Sequence, residues 1–201
     1  MNKKAIVAAF DFDGTLTTGD SLLPFLLFSS GKVKGWGKLF FALPAMIGFV
    51  LKLNSRQKAK ESILTSFFGG MQIASLRKKG AEFAGGELNK MVIPSHMQRL
   101  KWHQEQGHRC VLISASVDLY LSPWAKQAGF DDLICSRPQV DEKGEFTGKL
   151  EGLNCWGPEK TRRLELLLGP KEGYELYAYG DSRGDQELLA LADHPFYRTF
   201  E

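Results

Sequence analysis

The stretch "AAFDFDGTLTTGD", residues 8–20, runs an apolar segment into Asp11 and Asp13, then Gly14 and Thr15. Acids make poor packing at the end of an apolar run. They make sense where a strand stops and chemistry begins. In an extended chain residues i and i+2 point to the same side. Asp11 and Asp13 can therefore flank one reacting atom, one attacking it while the other gives and takes protons. Carboxylates this close repel and raise each other's pKa, which a divalent cation relieves. Oxygen-only ligands select a hard ion such as Mg²⁺. Asp11, Asp181 and the backbone carbonyl of Asp13 would supply them. Ser114 and Lys160 would hold the remaining oxygens of an anionic group, for which phosphate is the fitting choice. Gly14 allows the sharp turn after the acids.

These residues are far apart in sequence, so the fold must gather them. Residues 5–10, 109–114 ("RCVLIS") and 175–181 ("ELYAYGD") are short apolar runs that predict buried strands. Each ends in an acid or a hydroxyl: Asp11, Ser114 and Asp181, with Asp185 four residues further on. Lys160 falls in the first turn of a helix opened by Pro158. Pro94 opens another helix, a further one covers about 117–128, and a short strand covers 132–135. "PQVDEKGEFTGKL" alternates around Lys143-Gly144 and predicts a β-hairpin. A helix over about 185–191 and a strand including Phe196 to Thr199 complete the chain. Residues 21–89 have a helical pattern broken near Gly31, Asn54 and Gly69-Gly70. The expected fold is α/β: a doubly wound, Rossmann-like parallel sheet with a helical cap inserted after the first strand. Residues 1–17 and 90–201 would form the core domain and 18–89 the cap. Ligands bind such sheets beyond the carboxyl ends of the strands, where the motif residues converge.

"DFDGTLT", "LISAS", the lysine of "GPEKT" and "GDSRGD" resemble, in order, the four motifs of the haloacid dehalogenase-like superfamily. The likeness spans essentially the whole chain. It implies a phosphatase in which Asp11 is the nucleophile that forms an aspartyl-phosphate and Asp13 is the general acid/base. Ser114, its neighbour Ala115 and Lys160 would bind the phosphoryl group. Asp11, Asp13 and Asp181 would hold Mg²⁺, with Asp185, Thr15 and Gly14 in support. Asp185 would hold a metal-bound water or orient Lys160. A helical cap between the first two motifs resembles the phosphoserine-phosphatase-like branch. "TLTTGDSLLPFL" and the long apolar first half of the cap resemble a bacterial group that includes phosphatidylglycerophosphate phosphatases. Asp20 would cap the first cap helix or, like a Glu near this place in amino-acid phosphatases, contact substrate. Arg56 would meet a substrate carboxylate or phosphate.

The 201 residues, 43% hydrophobic and 24% charged, suit a globular protein, and a net charge of +3 gives no reason to expect nucleic acid as a partner. Cys110, Cys135 and Cys155 are odd in number and widely spaced. That argues against a disulfide framework or a zinc site and fits a reducing compartment. "MNKKAIVAAF" starts like a signal peptide, but its apolar part is too short and ends at Asp11. A cytoplasmic protein is expected, peripheral on the inner face of the membrane if the cap touches lipid. From Ser21 to Lys60 there is no acid but seven bases: Lys32, Lys34, Lys38, Lys52, Arg56, Lys58 and Lys60. They surround "LFFALPAMIGFVL", residues 39–51, which is shorter than the roughly 20 residues a bilayer requires. Either this run is cap core, with Trp36, Phe40 and Phe41, and the lysines are a solvated face, or it rests on an anionic membrane and admits a lipid phosphate. The substrate is accordingly a phospholipid head-group phosphate or a small metabolite such as phosphoserine. A non-catalytic membrane-docked adaptor is the third reading, although no motif acid is missing. His96, His103, His108 and His194 show no ligand spacing and are read as surface or packing residues. Lys171 is the weaker rival to Lys160.

Overall fold

The computed structural model describes residues 4–31, 35–38, 44, 51 and 55–200. Its main sheet has five parallel strands in the order β3-β2-β1-β6-β7. They are β1 (Ala5–Phe10), β2 (Arg109–Val117), β3 (Asp132–Ser136), β6 (Tyr174–Gly180) and β7 (His194–Tyr197). Two further strands, β4 (Pro138–Val140) and β5 (Phe146–Leu150), pair antiparallel as the expected hairpin. Helices α4 (Pro94–Glu105), α5 (Asp118–Ala128), α6 (Pro158–Leu168) and α7 (Gln186–Leu191) alternate with the strands. Ahead of them, α1 (Leu22–Ser30), α2 (Arg56–Phe68) and α3 (Ile73–Gly85) form the insert after β1.

Strand β1 lies at the centre of the sheet, covered on both faces, which is why it is apolar along its length. Val7 and Ala9 join one buried cluster with Val111, Ile113, Leu164 and Leu176. Ala8 and Phe10 join the other, which continues through Phe12, Tyr120 and Trp124 into Phe25, Leu64, Phe68 and Phe83 of the insert. One apolar core thus runs from the sheet into the helices α1 to α3. Phe10 stacks on Tyr179 of β6 with ring centroids 4.4 Å apart.

The insert is fastened on two flanks. Gly80 of α3 packs so closely on the start of α5 that a Cβ there would lie 2.0 Å from the Leu119 carbonyl oxygen. On the other flank Thr65 Oγ1 of α2 donates to the Gly148 carbonyl at 3.1 Å, and the Leu150 N–H donates to Glu61 Oε1 at 3.1 Å.

Two boundaries differ from expectation. Strand β2 continues past Ser114 to Val117, with a register irregularity against β3 between Ser114 and Val117. Such bulges occur beside active sites and leave no sequence period to detect. Strand β7 starts at His194 and stops at Tyr197, where Arg198 takes φ 57°, a left-handed conformation that ends an extended strand.

The basic segment also differs. Lys32, Lys34, Lys52 and most of the run 39–51, with Phe40 and Phe41, lie outside the described residues. Trp36 is exposed, so it is not cap core. Lys38 donates to the Phe67 carbonyl at 2.8 Å, and Lys60 is turned into the protein. These two lysines are therefore neither part of a solvated face nor of a cationic rim. Among the described residues no helix is long and apolar enough to cross a membrane.

Candidate active site

Register brings the motifs together. Phe10 of β1 pairs with Leu112 of β2 on one side and Tyr179 of β6 on the other. Asp11 and Asp181 therefore follow directly after β1 and β6, Ser114 lies in the adjacent β2 just before its irregularity, and the Asp11 N–H still donates to the Tyr179 carbonyl at 2.9 Å. The chain then turns at once. The Phe12 carbonyl accepts from the N–H groups of Thr15, Leu16 and Thr17. Phe12 itself is buried, 4.7 Å from Trp124 between ring centroids, and pins the turn to the core. Gly14 sits at φ 78°, where a Cβ would lie 2.5 Å from Asp181 Oδ2, so a side chain is excluded by backbone and by space.

Lys160, in the first turn of α6 and 2% exposed, lies 2.6 Å from Asp11 Oδ1 and 2.6 Å from Asp185 Oδ1. Burial alone would lower its pKa; the Asp11 and Asp185 carboxylates outweigh that and hold the ammonium charged. Asp185 is fully buried, and its Oδ2 accepts from the Ser182 N–H at 3.0 Å and the Ser182 hydroxyl at 2.8 Å. Thr15 Oγ1 lies 3.2 Å from Asp11 Oδ2 and 3.4 Å from Asp181 Oδ1 and bridges the two acids.

One carboxylate oxygen from each of Asp11, Asp181 and Asp185 lies within 4.8 Å of the other two. Burial pushes the Asp11 carboxyl up to about 7, against the pull of Lys160, and burial also raises Asp181. A single ammonium does not balance three carboxylates. The surplus negative charge and the all-oxygen donor set fit a hard divalent cation.

The Asp13 carboxylate is not part of that cluster. Its Oδ2 accepts from the Ser116 hydroxyl at 2.5 Å and its Oδ1 from the Ser21 N–H at 2.8 Å. Ser21 leads into α1, and its hydroxyl lies 3.0 Å from the Tyr120 hydroxyl. Burial, then the charge of Asp20, raises the Asp13 pKa, and the Ser116 and Ser21 bonds oppose this. The two acids thus have separate partners: Asp11 belongs to the charged cluster and Asp13 to the Ser116 hydroxyl and the Ser21 N–H. Ser114 is fully buried, with its Oγ accepting from the Ser116 N–H at 3.0 Å.

Beside Asp13 opens a cavity of about 270 Å³, lined by Asp20, Leu22, Arg56, Lys60, Ala115 and Trp156 among others. Asp20 caps α1, its Oδ1 accepting from the Leu22 N–H at 2.9 Å, and also lines the cavity. The Arg56 guanidinium lies 4.6 Å over the Trp156 ring.

Ser116, Ser21 and Trp156 were not singled out by sequence, and Lys60 was read only as one of the seven bases of the segment 21–60. Ser116 had a signal, since it lies two residues past Ser114 on an extended strand. Lys60 had one too, four residues after Arg56 on a helix. The remaining expectations fall elsewhere. Lys171 pairs with Asp193 at 2.6 Å and is no part of the site. His103 is buried against Tyr179 and His108, and His194 pairs with Glu175. His96 Nδ1 lies 2.6 Å from the Thr15 carbonyl, close to the acid cluster. The three cysteines are buried and free.

Protein CicA of Caulobacter vibrioides is 35% identical to this chain over 200 residues, covering 100% of the chain and 89% of CicA. A Bordetella pertussis protein of unknown function has a similar structure, with a TM-score of 0.82 at 22% identity over 97% of this chain and 90% of its own. A substrate-bound phosphoserine phosphatase matches with a TM-score of 0.63 at 15% identity, over 95% of this chain and 84% of its own. At those identities the two structures show a shared fold. The haloacid dehalogenase-like hydrolase family model matches residues 8–190, and the chain belongs to that family.

Proposed function

We propose that the protein is a Mg²⁺-dependent phosphomonoesterase working through an aspartyl-phosphate on Asp11. The observation that carries this is the separation of two acids two residues apart: buried Asp11 held by Lys160, partly buried Asp13 held by Ser116 and Ser21. Mg²⁺ would be held by Asp11, Asp181 and the Asp13 carbonyl, with Asp185 in the same acid cluster. When bound it supplies positive charge to the phosphoryl oxygens. Lys160 orients the Asp11 carboxylate, and with Ser114 and the Ala115 backbone it would bind the phosphoryl oxygens. An Asp11 oxygen attacks phosphorus and forms the Asp–O–P bond as the P–O bond to the alcohol breaks. Asp13 gives its proton to the departing alkoxide. Water then attacks phosphorus and loses its proton to Asp13, the Asp–O–P bond breaks, and phosphate leaves with the Asp11 carboxylate restored. The raised pKa of Asp13 suits a group that must start protonated.

The alcohol half would occupy the cavity beside Asp13. A small metabolite ester fits its volume; a phospholipid head group is the second candidate, supported by the exposed bases Arg56 and Lys58. The division into a core of residues 1–17 and 90–201 and a cap of 18–89 belongs to the same proposal. Phosphate release from a panel of monoesters, with and without detergent-dispersed lipid phosphates, tests it. Mg²⁺-dependent release and an acid-stable, base-labile phosphoprotein that Asp11→Asn abolishes are expected. Turnover by Asp11→Asn above a few per cent of the unmodified protein would overturn the assignment.

A further inference from the structure

Among the described residues, the cavity beside Asp13 offers apolar surface and no charge without a partner. Leu22 of α1, Ile63 of α2 and Trp156 are only partly buried, and Ala59 of α2 joins them in the lining. Apolar side chains left half-covered around a concave space are surface that a ligand can bury. Trp156 is a fixed part of this wall, since Gly184 packs so closely on its indole that a Cβ there would clash. The charged groups of the lining are each held within the chain. Asp13 accepts from Ser116 and Ser21. Asp20 Oδ1 accepts from the Leu22 and Leu23 N–H groups at 2.9 and 3.3 Å. Lys60 Nζ donates to the Ala115 carbonyl and, at 3.1 Å, to Asn154 Oδ1. The Arg56 guanidinium lies over the Trp156 ring.

We propose that the alcohol half of the substrate is uncharged and carries a hydrocarbon body next to the ester oxygen. This rests on the phosphomonoesterase assignment and narrows its substrate class. Asp13 gives its proton to that oxygen, so the carbons bonded to it are the ones that enter the cavity beside Asp13. There they cover Leu22, Ile63 and Trp156. A hydroxyl in the same place would give up its water against these apolar side chains, and an ammonium or carboxylate would lose more. An amino-acid ester such as phosphoserine is therefore a poor fit, and so is a glycerol head group.

The test measures kcat and KM for ethyl, propyl and butyl phosphate, 3-hydroxypropyl phosphate and phosphoserine. The alkyl esters share one leaving-group chemistry, so their series reads burial. In kcat/KM, butyl phosphate should exceed ethyl phosphate by about tenfold, the value of two buried methylenes, with the change in KM. It should exceed 3-hydroxypropyl phosphate, its match in size, by about fivefold or more. Ile63→Ser should shrink both ratios, and unchanged ratios in the folded variant would overturn the inference. Should that variant fail to fold, the unmodified protein gives an independent reading. The inhibition constants of ethyl-, propyl- and butylphosphonate, whose C–P bond offers no ester to hydrolyse, should fall in that order, and equal constants would count against the hydrocarbon. A flat alkyl series overturns the hydrocarbon assignment and leaves the phosphatase assignment intact, as does turnover of phosphoserine or 3-hydroxypropyl phosphate equal to that of butyl phosphate. Hydrolysis of none of the five esters refutes the phosphomonoesterase assignment, and this inference with it.

Discussion

The Ser116 hydroxyl lies 2.5 Å from Asp13 Oδ2 and is the shortest side-chain bond that the carboxylate makes. It fixes the direction in which Asp13 presents its second oxygen and, as a bond to the charged form, lowers the Asp13 pKa against burial. Ser116→Ala should lower kcat by about tenfold to a hundredfold, the cost of one hydrogen bond to a charged group. It should also move the alkaline limb of the pH–rate profile upward, because Asp13 then keeps its proton to higher pH. A profile with reduced rate and an unmoved limb would remove Asp13 from the role of acid.

Metal removal gives a second expectation. A chelator should abolish phosphate release, and Mg²⁺ should restore it. Neighbours of metal ligands alone are worth about 10–100-fold in affinity. Asp181→Asn should therefore raise the Mg²⁺ needed for half-maximal activity by about tenfold or more. Mg²⁺ should also raise the melting temperature of the unmodified protein and do so much less for Asp181→Asn. Full activity in metal-stripped protein would end the metal assignment.

Gly80 decides a case in which two effects oppose. On a free helix, Gly→Ala stabilises by about 1 kcal/mol. Here the new methyl would meet the Leu119 backbone. Overpacking against backbone costs about 1–3 kcal/mol, so Gly80→Ala should be net destabilising. Urea denaturation measures it; a midpoint at or above that of the unmodified protein would contradict the close packing of α3 on α5.

His103 sets a pH dependence of stability. Burial, then the charges of His108 and Arg99, pulls its imidazole from 6.5 down to about 3. The unfolded chain takes up a proton near 6.5 and the folded chain does not until about 3. The contribution is therefore complete above 6.5 and is lost as pH falls from there toward 3, by at most about 1.4 kcal/mol per pH unit. Asp11 and Asp13, raised by burial, act with the opposite sign. The measurable quantity is thus the difference between the unmodified protein and His103→Gln. That difference should narrow between pH 7 and pH 5, and a constant difference would show that His103 does not titrate as described.

Much of this site was legible because its parts sit at strand ends, where apolar periodicity stops at a residue that cannot be core. Asp11, Ser114 and Asp181 were readable for that reason, and Lys160 because Pro158 marks a helix start. Ser116 was missed because a bulge carries β2 past the place where its apolar run ends. Lys60 was misplaced because composition treats a basic run as one surface. The fold instead turns individual lysines inward: Lys38 to the Phe67 carbonyl, Lys60 to Ala115. The divergence of Asp11 and Asp13 is a tertiary fact. It depends on Lys160 and Ser116 lying on either side of the turn, which no i, i+2 spacing can report.

The fastening of α2 by Thr65 and Glu61 to the hairpin, and of α3 by Gly80 to α5, bears on how molecules come and go. Swinging these two helices off the sheet as a unit would break both fastenings, part Lys60 from Ala115 and open the shared apolar core. Opening of that kind would give up all of these contacts each time. Reorientation of the lining side chains Arg56 and Leu22 alters the mouth beside Asp13 without breaking any of them.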